Sequence, residues 1–323
     1  MTTMITGGTG LIGAGIAKRL VNKGEKPVLF DIYPAYWRIE DIKDRVTVVR
    51  GNVTNLHEIL HVIKKNKVDK VIHLAFFLGG ESNADPLAAT YVNCIGTLNI
   101  YEAGHLLDVE RVCVASSIAV YGFDDEYEPS QLPLTEDAPK YLAKGELCYS
   151  AGKIYMEALG DLYRERYSVF VCGLRPSIVY GWGRFTGATG FMVKLIEKAM
   201  LGEPVKIEGG NAVVDLVYVD DVVNALITLL DADKSKFKHF YYNTGGDSAK
   251  IYEVAEIVKK LIPEAKIEVE KGSEKNLVGL ASSTSSKFID EELGFKRKFT
   301  PLEVGIEAMI NEVREKRGTE VRE

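Results

Sequence analysis

Short apolar runs separated by amphipathic stretches organise the first half of the chain. "TTMIT" (2–6), "PVLF" (27–30), "VTVV" (46–49), "KVIHLA" (70–75), "RVCVAS" (111–116) and "VFVCGL" (169–174) are rich in Val and Ile and predict strands. Between most of them, helix-like segments are predicted near 11–23, 55–66, 86–107 and 146–167. Near-continuous apolar strands alternating with helices bury both faces of a parallel sheet, so the pattern predicts an α/β, doubly wound fold of the Rossmann type.

Beyond about residue 180 the alternation loosens. The pattern predicts a helix near 189–201, strands near 205–207 and 213–219, a helix at 220–231, a strand at 239–243, and helices near 250–261 and 301–316. "GGDSAK" (245–250) and "KGSEKN" (271–276) read as loops. No repeat and no flexible linker separates the halves. The expected division is residues 1–180, carrying the main sheet, and 181–323, a smaller α/β lobe on the sheet edge. Some segments of the lobe are expected to return to the main sheet, and a cleft between the two is the default ligand site.

Composition then excludes several classes of function. The 323 residues are 46% hydrophobic and 27% charged, with a formal net charge of −6 and no long basic run. That balance gives no attraction for nucleic acid or an anionic membrane, which leaves a small molecule as the expected partner. The apolar runs fall far short of the roughly 20 residues of a membrane span. A first strand beginning at Thr2 or Thr3 leaves no room for a signal peptide, so the expected location is the cytoplasm. Cys94, Cys113, Cys148 and Cys172 have neither metal spacing nor the density of a disulfide scaffold, and read as reduced thiols; no metal is expected. Gln131 is the sole glutamine while Lys and Glu abound, a usage resembling that of heat-adapted proteins.

"MITGGTGLIGAGIAKRL" (4–20) runs from strand to helix, with Gly7, Gly10 and Gly13 spaced Gly-x-x-Gly-x-x-Gly. Glycines there let the backbone approach a pyrophosphate, whose charge meets the free N–H groups of the helix N-terminus. The second strand ends "VLFDIY", placing Asp31 where a carboxylate can accept from an adenosine ribose and repel a 2′-phosphate. The expected cofactor is therefore NAD. "YSAGK" (149–153) sets Tyr149 and Lys153 one helical turn apart.

The glycine loop, "VASSIAVYG" (114–122), "YSAGK" and "LRPSIVYG" (174–181) together resemble the extended short-chain dehydrogenase/reductase superfamily, and in particular its NAD-dependent epimerase/dehydratase family. "HLA" (73–75), "VNCIGTLNI" (92–100), "GEPV" (202–205) and "VYVDDVVNAL" (217–226) extend the resemblance over nearly the whole chain. It implies a catalytic Ser117, Tyr149 and Lys153, with Asn93 as structural support. Ser117 matches better than Ser116 because it stands four before Tyr121. The lysine would favour the Tyr149 phenolate, which exchanges a proton with a secondary alcohol. Cofactor contacts are implied from Gly7, Gly10, Leu11, Ile12, Gly13, Asp31, Asn52, Val53, Leu74, Ala75, Tyr149, Lys153, Arg175 and Pro176. His73 reads as a structural strand-end residue. Relatives dimerise through helices corresponding to 86–107 and 146–167, so a homodimer is expected.

Departures from the family carry the substrate information. Nucleotide-sugar epimerases hold the diphosphate with an asparagine where this chain has Ile178, an arginine where it has Val214, and a late arginine that is missing from "NLVGLASSTSSKF" (276–288). Each lost charge-assisted contact is worth roughly 1.5–3 kcal/mol. Lys194, Lys206 and Arg184 are candidates to compensate. Ile118 and Ala119 follow Ser117 where the family's sugar 4,6-dehydratases have an Asp-Glu pair, which disfavours dehydration. Phe76, Ser116, Ser117, Ile178 and Trp182 are the expected substrate contacts. The leading expectation is an NAD-dependent oxidoreductase acting on a secondary alcohol or ketone of a small molecule. A nucleotide-sugar 4-epimerase is the second reading, and a non-catalytic NAD-binding scaffold or redox sensor the third.

Overall fold

The computed structural model describes residues 1–270, 272 and 280–320. Of "KGSEKN" it describes only Gly272, so that expected loop lies otherwise outside the described residues. The first half comprises β1 (Thr3–Thr6), α1 (Leu11–Asn22), β2 (Val28–Asp31), β3 (Thr47–Arg50), α2 (Leu56–Asn66), β4 (Lys70–His73), short helices α3 (Gly79–Ala84) and α4 (Pro86–Ala89), α5 (Gly96–Leu106), β5 (Arg111–Ala115), α6 (Leu147–Tyr167) and β6 (Val171–Arg175). The second half comprises β7 (Ile178–Tyr180), α7 (Gly190–Met200), β8 (Pro204–Ile207), β9 (Val213–Tyr218), α8 (Val219–Asp231), β10 (Tyr241–Asn243), β11 (Asp247–Lys250), α9 (Ile251–Leu261), β12 (Lys266–Val269), α10 (Lys287–Leu293) and α11 (Leu302–Glu320).

Seven parallel strands form the main sheet in the order β10-β6-β5-β4-β1-β2-β3. The chain starts at β1, winds outward through β2 and β3, and then crosses back to β4 on the other side. That reversal between β1 and β4 opens a crevice at the strands' carboxyl ends, where ligands of this architecture bind. Apolar residues fill both faces. Ile16, Leu20, Val222 and Leu226 of α1 and α8 pack with Ile5 and Leu29 on one side. Val62, Ile100 and Met156 of α2, α5 and α6 pack with Val28 and Val112 on the other. Burial on both faces explains why these strands lack polar alternation.

Segments beyond residue 180 return to the main sheet. β10 pairs with β6 as the edge strand, and α8 lies against α1. The remainder forms a small sheet, β11-β9-β7, and a parallel pair, β12-β8, around a separate apolar cluster that includes Val214, Ile251 and Ile306.

α3, β7, β12 and α10 stand where no element was expected, and two expected segments take a different form. The helix expected over 86–107 is interrupted by a π-helical turn at Thr90–Ile95, which widens the ladder and buries Asn93. "DSAK" within the expected loop 245–250 is β11, antiparallel to β9. Gly246 packs so tightly on Asp215 that any side chain there would strike the carboxylate, so glycine here marks a close strand approach and not a turn. The cysteines are all free thiols; Cys113 and Cys172 sit opposite one another on β5 and β6 with sulfurs 3.4 Å apart. Among the described residues no cluster of His, Cys, Asp and Glu could hold a metal, and no helix is long and apolar enough to cross a membrane.

Candidate active site

At the crevice between β1 and β4, the glycine loop leaves β1 and feeds α1. Gly7 has φ +63°, a conformation in which a side chain would be strained, and it lies against the backbone of Leu74 and Ala75 after β4. A side chain at Gly13 would strike the Gly7 carbonyl. Gly10 caps α1 without any side-chain acceptor, and no acidic residue occupies the first turn. The free N–H groups and the helix dipole are thus left facing the crevice. Asp31, at the end of β2, is fastened to this loop: its Oδ2 accepts from Thr9 N (3.1 Å) and Thr9 Oγ1 (2.7 Å), and its Oδ1 from Tyr33 N. A carboxylate has about four lone-pair sites, so one remains for a ribose hydroxyl. These residues fit a dinucleotide. Leu74 and Ala75 are tied by their N–H groups to Thr6 Oγ1. Asn52 Oδ1 accepts from Thr54 N, turning the chain after β3, and Val53 is buried below it against Gly96.

A cavity of about 430 Å³ continues from this crevice, lined by Ile12, Leu74, Phe76, Ser117, Tyr149 and Lys153, and further out by Pro176 and Ile178. Tyr149 and Lys153 share one face of α6. Ser117, at the end of β5, accepts from Ala119 N (3.1 Å) and faces the Tyr149 hydroxyl. Lys153 donates to the Ala115 carbonyl and lies 3.5 Å above the Phe76 ring, 5.3 Å from that of Tyr149. Phe76 meets Tyr149 edge to face at 5.7 Å. The expected lowering of the tyrosine draws on Lys153 together with the positive nicotinamide; the protein's own groups push the other way. Burial pushes the phenol up to about 12, against the pull of its hydrogen bond with Ser117. Burial also pushes the Lys153 ammonium down to about 7, with Glu157 pulling the other way. The lysine is seated on an aromatic face and a carbonyl, so desolvation of both groups outweighs any attraction between them.

Several expected contacts fall elsewhere. The Arg175 side chain turns inward and is 3% exposed; it bonds both carboxylate oxygens of Glu157 (2.8 and 2.7 Å) and the Tyr121 hydroxyl. Its side chain therefore braces the site from behind, held on Glu157 and Tyr121. Ser116 lines the cavity wall, but its hydroxyl donates to Glu157 at 2.6 Å, away from a substrate. Asn93 has no hydrogen bond to Ser117, Tyr149 or Lys153: the π-helical turn aims it at Phe77, whose N–H and carbonyl it clasps at 2.7 and 3.2 Å. Trp182 lies outside the catalytic cavity. Gly181 (φ +152°) and Gly183 (φ +87°) swing it into a neighbouring groove against Trp37 and Phe185, at 5.7 and 5.9 Å. His73 is a buried structural residue between Thr6 Oγ1 and Thr97 Oγ1, held neutral by burial that pushes it down to about 3.

The structure adds residues that the sequence reading did not assign. Glu157 stands four after Lys153, so the spacing 149, 153, 157 continues one helical face into the core. Its carboxyl is held down to about 2: burial would raise it, but Arg175 and Lys140 overcome that. Glu146 and Glu81 line the outer cavity beside Arg184, which the sequence had offered as a compensating cation, with Gly79 and Gly187 packed against Glu146 and Arg184 respectively. Ile178 is buried in β7 and Val214 in the lobe core, so neither position offers a polar contact.

A tight glycine loop at the sheet's switch point, beside a Ser, Tyr and Lys around one cavity, defines a nucleotide-dependent oxidoreductase. The chain belongs to the NAD dependent epimerase/dehydratase family, whose model matches residues 3–245. It is an NAD-dependent enzyme of the short-chain dehydrogenase/reductase superfamily. It is 30% identical to a UDP-glucose 4-epimerase from Mycolicibacterium smegmatis over 237 residues, covering 70% of this chain and 72% of that one. The structure of UDP-glucose 4-epimerase from Thermus thermophilus in complex with NAD superposes with a TM-score of 0.82 at 25% identity, covering 97% and 99% of the two chains. L-threonine dehydrogenase from Clostridium difficile shares the fold with a TM-score of 0.84 at 24% identity, covering 98% of each.

Proposed function

We propose that the protein is an NAD-dependent dehydrogenase or reductase of a compact secondary alcohol or ketone, with Tyr149 exchanging the substrate proton. The observation that carries this reading is the cavity itself: Ser117, Tyr149 and Lys153 converge on about 430 Å³ whose wall carries Ile178 in place of one of the family's diphosphate anchors, while Val214, in place of another, is buried in the lobe core. Bound NAD supplies the hydride acceptor or donor. Ser117 orients and polarises the substrate oxygen, and Tyr149 gives or takes its proton. Lys153 stands behind the phenol, while Glu157 and Arg175 hold the β5 and β6 turns that carry Ser117 and Pro176. Asp31 and the glycine loop hold the dinucleotide.

A phenol pushed up to about 12 is protonated at neutral pH, ready to donate to a ketone oxygen and slow to accept from an alcohol. Alcohol oxidation is accordingly expected to rise by about tenfold per unit between pH ~7 and ~10, because only the phenolate accepts the proton. Initial rates of NADH formation across that range check this. A flat profile would assign proton acceptance to another group.

The second reading, a UDP-sugar 4-epimerase, draws on the 30% identical relative. Epimerisation regenerates NAD in the site, whereas the first reading releases NADH with turnover.

We also propose a homodimer. Leu87 and Leu147 are 70% and 52% exposed, and Tyr91, Ile95, Tyr155 and Leu162 are exposed or partly so on the same helices, α4, the π-helical turn and α6. The expected result is sedimentation as a dimer at micromolar concentration, and as a monomer after Tyr155→Glu with Leu162→Glu. A monomeric parent protein would overturn it.

A further inference from the structure

Three charged side chains at the outer end of the catalytic cavity are not used by the chemistry above. Arg184 stands in the loop between β7 and α7, and its guanidinium packs against Gly187. Its Nε is buried and has no hydrogen-bond partner among the described residues. Glu146 and Glu81 flank the same end: the Glu146 carboxylate lies on Gly79, and Glu81 Oε2 accepts from Leu78 N. Burial pushes the Arg184 guanidinium down while Tyr149, Glu81 and Glu146 pull the other way, and among the described residues no ion pair joins it to either glutamate. A guanidinium that lines a cavity and is not satisfied by its own protein is suited to an anion, and a planar carboxylate matches its fork best. Two carboxylates beside it repel a second negative charge, which disfavours phosphate esters and diphosphates.

Building on the dehydrogenase reading, we propose that the substrate is a compact hydroxy acid carrying one carboxylate. That carboxylate engages Arg184 while the carbinol lies between Ser117 and Tyr149, and Glu146 and Glu81 select against dianions. Specificity then resides in three residues at the outer end of the cavity and not in the family's diphosphate anchors. The reaction balances with the established cofactor: the carbinol C–H leaves as hydride to NAD, the O–H proton passes to Tyr149 and on to solvent, and a keto acid and NADH are formed.

The test is a matched panel given to the NAD-loaded protein: 2-, 3- and 4-hydroxy acids of four or five carbons, their methyl esters, malate as a dianion, and UDP-glucose. At least one hydroxy acid is expected to reduce NAD with kcat/KM tenfold or more above its own ester, and malate to react poorly. In Arg184→Gln the acid-to-ester ratio falls at least tenfold, and Arg184→Lys restores part of it. Calorimetric NAD binding by both variants reports that they are folded. In Glu146→Gln with Glu81→Gln, malate gains relative to the monoacid. Esters reacting as well as acids, or an acid-to-ester ratio unmoved in Arg184→Gln, would overturn the inference and leave the dehydrogenase reading standing. Interconversion of UDP-glucose with no alcohol reducing NAD, or no reaction in the panel at all, would overturn both.

Discussion

Tyr149→Phe is expected to lower turnover by about 10²–10⁴-fold while NAD affinity stays close to that of the parent, because the substitution removes a proton carrier and little else. The phenylalanine ring keeps the edge-to-face contact with Phe76, and Lys153 keeps its seat on the Phe76 ring and the Ala115 carbonyl. What is lost is the hydroxyl that faces Ser117. Steady-state kinetics in both directions, with calorimetric NAD binding as the control, measure the effect. A variant within threefold of the parent would remove Tyr149 from the chemistry and revive the scaffold reading.

Arg175→Met has the largest expected effect on stability, a loss of about 3–5 kcal/mol at neutral pH, because it strands a buried carboxylate. Glu157 would retain Lys140 at 2.7 Å and Ser116 at 2.6 Å, but lose two guanidinium bonds, and Tyr121 would lose a third. The sign of the pH dependence follows from Glu157. Its folded pKa of about 2 lies below its ordinary value, so its contribution is complete above the usual carboxylate range and lost as pH falls toward about 2. In Arg175→Met the carboxylate, left with Lys140 as its one charged partner among the described residues, takes up a proton more readily, so the deficit relative to the parent shrinks on acidification. Adding Glu157→Gln to Arg175→Met should recover part of the loss at pH ~7, since the stranded charge is gone. Denaturant midpoints of the parent, single and double variants decide this; a single variant within about 1 kcal/mol of the parent would contradict it.

The local pattern carried the sheet. All six strands read in the first half are present, because strands buried on both faces leave short, nearly uninterrupted apolar runs, a pattern that the half-buried edge strand β3 also keeps. β11 escaped because "DSAK" has no such run: it is a short edge strand held by pairing to β9, a contact about thirty residues away that no local window contains. The interruption at Thr90–Ile95 is likewise invisible in an apolar repeat, since one extra residue per turn barely moves the pattern.

At the site, residues named by position after a strand were brought together as read: Gly7 after β1, Asp31 at the end of β2, Ser117 after β5 and Pro176 after β6. The direction of a side chain was harder to read. Arg175 and Ser116 neighbour cavity-lining residues in sequence, yet both turn to Glu157, whose buried charge needs every donor within reach. Trp182 lies between two glycines of positive φ, and its ring packs on Trp37 in the neighbouring groove. The electrostatics of Tyr149 and Lys153 depend on desolvation and on the Phe76 ring, which motif spacing does not encode.

Whether the enzyme is a small-alcohol dehydrogenase or a nucleotide-sugar epimerase is the central distinction, and one titration addresses it directly. UDP-glucose injected calorimetrically into the NAD-loaded protein is expected to give no binding heat, because Ile178 and Val214 offer no polar contact and Glu146 and Glu81 oppose a diphosphate. Binding at micromolar affinity would contradict the dehydrogenase reading and make epimerisation the activity to pursue.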